Sequence, residues 1–124
     1  MKINETVSRF DFDSTVNLLM EEVKSSGLRI VALINAQENL KKIGVEIGGN
    51  KILEVFHPNL AWEVFQNDIR AGIIPPLRIY IFQETGKTHV ETQSAQELFS
   101  SYSGLQGLAK KLDGMIYSIV SKIQ

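Results

Sequence analysis

The stretch Leu77–Gln93 constrains this chain more than any other. Leu77–Glu84 and Lys87–Gln93 are β-prone runs joined by Thr85-Gly86, a two-residue link of the kind that turns a hairpin. Such a link leaves one register: Glu84 faces Lys87, Phe82 faces His89, Tyr80 faces Glu91 and Arg78 faces Gln93, with Ile81 opposite Val90 and Ile79 opposite Thr92. Neighbours along a strand alternate faces. Leu77, Ile79, Ile81 and Val90 therefore form one apolar face, and Arg78, Tyr80, Phe82, His89 and Glu91 form the other.

Three further runs read as strands. Thr6–Phe12 alternates, with Ser8, Phe10 and Phe12 on one side. Leu28–Ile34 carries apolar residues on both alternating sets, as expected of a strand covered on both sides. In Ile52–His57, Leu53 and Val55 oppose Ile52 and Phe56.

Helices fall between the strands. Asp13-Ser14 is expected to cap a helix with Val16, Leu19, Met20 and Val23 on one face, ended by Gly27. Asn35-Ala36-Gln37-Glu38 resembles a capping box for a short helix closed by Gly44, followed by a Gly48-Gly49-Asn50 turn. Pro58 suits a first helical position, or Asn59 a cap, for a helix reaching Arg70 with Ala61, Val64, Phe65 and Ile69 inward. Ser94-Ala95-Gln96-Glu97 caps a short helix ending near Tyr102. The last helix starts after Ser103 and has the best helical period of all: Leu105, Leu108, Ala109, Leu112, Ile116, Ile119, Val120 and Ile123.

The order β-α-β-α-β-α-β-β-α-α predicts a single α+β domain over residues 1–124, a two-layer sandwich with a mixed β-sheet and helices on one face. One helical layer covers one side of a sheet, yet these strands are apolar on both. A bare apolar face marks an interface or a ligand groove. Full burial of a Phe or Leu side chain is worth roughly 1.5–3 kcal/mol, so several together can drive association. The expectation is a homodimer joined through Val31, Leu33, Arg78, Tyr80 and Phe82, with a terminal helix crossing to the second face as the alternative.

The chain resembles the family called domain of unknown function 302. The residues carrying the resemblance are Phe10-Asp11-Phe12-Asp13, Ser26-Gly27-Leu28, Asn39-Leu40-Lys41-Lys42-Ile43-Gly44 and Ile52-Leu53-Glu54-Val55-Phe56 with Pro58. Pro76-Leu77-Arg78-Ile79-Tyr80-Ile81-Phe82 and Glu84-Thr85-Gly86-Lys87 follow, and the likeness runs roughly from residue 5 to 112. It implies a compact α+β domain that tends to dimerise, with no established activity. The chain departs from the family pattern at Asn35-Ala36, Phe56-His57-Pro58 and Thr92.

Charge and composition narrow the function classes. Thirteen Lys and Arg against fourteen Asp and Glu leave a formal charge of −1. The adjacent basic pairs, Lys41-Lys42 and Lys110-Lys111, sit in expected helices, so no basic stripe for nucleic acid is present. With no cysteine, thiol catalysis, cysteine-ligated clusters and disulfides are excluded. The N-terminal residues lack the apolar stretch of a signal peptide. No apolar run approaches the roughly 20 residues that span a bilayer. A cytoplasmic protein without membrane or nucleic-acid partners is expected.

Candidate chemistry is sparse. His57 and Asn59 stand where a helix N-terminus could hold an anion, though a histidine at a strand end beside a cap accounts for both residue types. His89 and Glu91 share a face and could reach one ion. Zinc needs three or four ligands, however, and a His–Glu pair in an interface is the simpler reading. Trp62 is expected in the core or in a pocket wall. No nucleophile elbow, phosphate loop or dinucleotide fingerprint occurs. The leading expectation is a homodimeric, non-catalytic module without cofactor or metal. It would bind a small anionic or amphipathic ligand through His57, Asn59, Trp62, Tyr80, Phe82, His89 and Glu91. The alternatives are a metal-dependent or acid–base enzyme using His57, His89 and Glu91, and a protein–protein adaptor without a small ligand.

Overall fold

The computed structural model describes residues 1–124. Five strands, β1 (Ile3–Ser8), β2 (Arg29–Asn35), β3 (Asn50–Phe56), β4 (Leu77–Glu84) and β5 (Lys87–Gln93), form one sheet in the order β1-β5-β4-β3-β2. The helices are α1 (Phe12–Ser25), α2 (Ala36–Lys41), α3 (Pro58–Asn67), α4 (Ala95–Leu98) and α5 (Gln106–Ser121), with a 3-10 segment at Ile69–Ile73. This is an α+β fold, with a helical layer packed on the sheet.

Every neighbouring pair of strands is antiparallel, where a mixed sheet was expected. The reason lies in the connections. α2 buries no residue, so it does not cross the sheet and β3 returns beside β2 in the opposite sense. The one long crossover, through α1, joins the two outer strands, which are not neighbours.

The hairpin matches its expected register from Ile79↔Thr92 to Glu84↔Lys87. Thr85 and Gly86 both take positive φ, 52° and 75°, as the favoured two-residue turn requires. The helix-facing set of the hairpin, Leu77, Ile79, Ile81 and Val90, is buried with Leu53 and Val55. α5 buries its whole apolar stripe against them, and α1 adds Val16, Leu19 and Val23.

Three local expectations are revised. β1 ends at Ser8, and α1 starts at Phe12 because Asp11, not Asp13-Ser14, accepts the Ser14 N–H and caps it. Phe10 and Phe12 thus belong to the helix entry. β2 is an edge strand with no buried residue, bulged between Ile30 and Ala32, rather than a strand covered on both sides. α3 turns Leu60 and Val64 inward, while Phe65 and Ile69 are exposed and Trp62 is 62% exposed, so Trp62 is not a core residue.

Candidate functional site

The sheet face away from the helices is uncovered. Directly paired residues share a face, so the register assigns its members row by row. The Phe82 row runs Val7, His89, Phe82, Asn50, and the Tyr80 row runs Glu5, Glu91, Tyr80, Ile52, Ile34. The Arg78 row continues through Glu54 to Ala32.

His89, Phe82 and Tyr80 stack as a column. The His89 and Phe82 rings are 5.1 Å apart at 11°, and the Phe82 and Tyr80 rings 4.9 Å apart at 27°. Such offset pairs each add about 0.5–1.5 kcal/mol beyond area burial. Polar contacts pin both ends. At one end Glu5 Oε1 accepts from His89 Nδ1 at 2.7 Å. At the other, Asn50 Nδ2 donates to Tyr80 Oη at 2.7 Å. His89 is 13% exposed, and its Nε2 is shut from solvent without a partner. Beside the column, Ile3, Ile52, Arg78, Tyr80, Glu91 and Gln93 border a shallow depression of about 270 Å³. Arg78 pairs with Glu54 at 3.7 Å, whereas Glu91 has neither an ion-pair nor a hydrogen-bond partner.

The expected site residues divide into separate places. Tyr80, Phe82, His89, Glu91 and Arg78 come together on this face. Leu33 does not join them, because the bulge puts it opposite Leu53 on the helix side of the sheet. Val31, 53% exposed, borders a different apolar groove of about 310 Å³ with Phe56, His57, Phe65 and Pro76. His57 caps α3, its Nδ1 accepting the Asn59 N–H at 3.0 Å, and Pro58 takes the first helical position. That ring therefore occupies the amide an anion would use.

His57 follows the Phe56 end of β3, and His89 lies in the row of Asn50 at the other end. Six residues of strand put them about 20 Å apart. His57, His89 and Glu91 cannot meet one metal ion or one substrate. His89 pairs with Glu5 and not Glu91, and nowhere do three His, Asp or Glu side chains gather at ion-binding distance.

Sequence reasoning missed Glu5, Asn50 and Ile52. The signal for Ile52 was present, since it alternates with Leu53. Glu5 was hidden by placing the first strand too late, and Asn50 by reading it as part of a turn.

A family model described as "Domain of unknown function DUF302" matches residues 3–123. The fold is similar over 100% of the chain to the crystal structure of an uncharacterized conserved DUF302 protein from Bacillus stearothermophilus. The TM-score is 0.91, the identity 20% and the coverage of that chain 99%. No match emerges among curated proteins.

Proposed function

The chain belongs to the family of domain of unknown function DUF302, and within it we propose a homodimeric, non-catalytic binding module. Two open sheet faces meet in this dimer and enclose a small amphipathic ligand over Tyr80. The observation that carries this reading is the bare face itself, with its His89–Phe82–Tyr80 column and the depression beside it.

Five strands about 4.8 Å apart and about 20 Å long present a flat footprint of roughly 400–500 Å². That is somewhat over half of the roughly 800 Å² per partner of a standard interface, so the dimer in this reading also uses the rim of the face. The face is self-complementary in kind. In a two-fold contact, Arg78 of one copy can meet the unpaired Glu91 of the other. Twin depressions closing on each other make one cavity with aromatic walls and a few polar groups, which suits a ring or short chain bearing one charged end. The setting is the cytoplasm in this reading, since the core closes without disulfides.

Light scattering behind a sizing column at about 50 µM tests the assembly. A dimer is expected, and Tyr80→Glu should give a folded monomer with unchanged far-UV circular dichroism. A wild-type monomer at that concentration overturns the proposal. A thermal-shift screen against small anionic and amphipathic metabolites tests the cavity, with hits expected to vanish in Tyr80→Glu.

A further inference from the structure

The largest cleft of the molecule, about 600 Å³, lies between the outer edge of β1 and α5 and meets the bare-face depression only at Thr92 and Gln93. Asn4, Glu5 and Thr6 all border it. Consecutive strand residues point to opposite faces, so a cleft touching all three opens onto the strand's edge. β1 pairs only with β5, and no other segment bonds to the backbone of Ile3–Ser8 from outside. Its outward N–H and C=O groups are free.

The opposite wall is one face of α5. Lys110, Asp113, Gly114, Tyr117 and Ser121 recur at helical spacing along it. Both ends of this wall are tied down. Arg9 N–H donates to Ile123 O at 2.9 Å, and Asp113 accepts from the N–H groups of Ala95 and Gln96 at 2.6 and 3.1 Å. Gly114 leaves open space in the middle, and Tyr117 beside it is 73% exposed. A free strand edge facing a fixed helix across a cleft is the geometry in which an extended peptide adds a strand.

Charge selects the kind of peptide. The two acids bordering the cleft are engaged, Asp113 with the α4 amides and Glu5 with His89. The ammonium groups of Lys2 and Lys110 have no carboxylate partner. From these observations we infer that the β1–α5 cleft binds an extended acidic peptide segment of another protein. Its backbone pairs with β1, and its carboxylates meet Lys2 and Lys110. From Lys2 to Thr6 the edge runs about 13 Å, room for about four extended residues. The inference does not depend on the dimer, which uses the other face.

The test uses the full chain and a fluorescein-labelled hexapeptide of alternating Val and Glu, read by anisotropy. Saturable binding below about 1 mM is expected. It should weaken at least about tenfold when alternate peptide amides are N-methylated, because the added strand loses its ladder. A Val–Lys peptide should lose a similar factor, and binding should fall with salt. Gly114→Trp fills the cleft, and Lys110→Glu reverses its charge on an exposed helix position that leaves folding intact; each should weaken binding by about tenfold or more. Amide exchange within Ile3–Ser8 should slow on adding the peptide. Three results overturn the inference: no saturable binding, equal binding of the N-methylated peptide, or protection that appears at β2 and not β1. None of them bears on the oligomeric state, so failure here is distinguishable from failure of the dimer.

Discussion

The covered and bare faces of the sheet are built from the same strands in an alternation broken only at the β2 bulge, but they solve different problems. On the covered face Leu53, Ile79, Ile81 and Val90 are aliphatic and dry, held by shape against α1 and α5. On the bare face the side chains shield one another: rings stack with their planes nearly parallel down the column, Glu5 holds His89 Nδ1 and Asn50 holds Tyr80 Oη at its ends, and His89 Nε2 alone is shut in without a partner. A surface of this kind can stand in water as a monomer. It can also be covered by a partner with little further cost, because hydrogen bonds already made between neighbours need not be broken. One face specifies the fold and the other is left open.

The sharpest way to break that comparison is to truncate adjacent residues of β4. Ile79→Ala removes a fully buried side chain and should cost about 2–5 kcal/mol in urea unfolding. Phe82→Ala, on the bare face, breaks two stacked pairs and should cost the monomer less, about 1–3 kcal/mol. Equal losses at the two positions would mean that the bare face belongs to the core after all. Measuring both in protein diluted until light scattering reports a monomer keeps the readout on the monomer and leaves Tyr80, a stacking partner of Phe82, in place.

A second change probes how closely the rim of the covered face is fitted. Gly49 is buried, and a Cβ there would lie 2.5 Å from the Phe12 ring. Its N–H also donates to Gln83 Oε1 at 2.6 Å, so the backbone cannot retreat without losing that bond. Gly49→Ala should therefore destabilise by about 1–3 kcal/mol, as overpacking does. The same change at Gly107, which has open space around it, should stabilise the helix by up to about 1 kcal/mol. Chemical denaturation of both variants checks the contrast.

The covered face was legible in the sequence because aliphatic periodicity is a direct record of burial. Every residue of the α5 stripe read from the sequence is buried, and the hairpin register followed from the length of its turn. The bare face was legible only in part. Tyr80, Phe82, His89 and Glu91 lie within the hairpin, where local chemistry sets the register. Their partners Glu5 and Asn50 come from strands brought alongside by long connections, and no local rule encodes that pairing. Leu33 was misplaced by a single bulge residue, which inverts facing from that point on. Trp62 was misread because an exposed tryptophan on a helix has the same spacing as a buried one. Only the inward turn of Leu60 and Val64 decides between them.

The smallest effect expected concerns the entry to the covered layer. The Ser14 N–H, with the Ser14 side chain, donates to Asp11 and holds its carboxyl below the ordinary aspartate value of about 3.9. The charge also faces the positive end of α1. A carboxyl whose value is lowered on folding stabilises fully above the unfolded value, and that contribution is lost as pH falls through the folded one. Asp11→Asn keeps a good capping side chain but has no proton to gain. The wild type should therefore melt slightly above the variant at neutral pH, and the gap should close as pH drops below about 4. Melting curves that stay parallel down to acid pH would show that the charge contributes nothing and that the cap acts through its hydrogen bond alone. α1 would then be held on the sheet by the packing of Val16, Leu19 and Val23 and by an uncharged cap, with no electrostatic share.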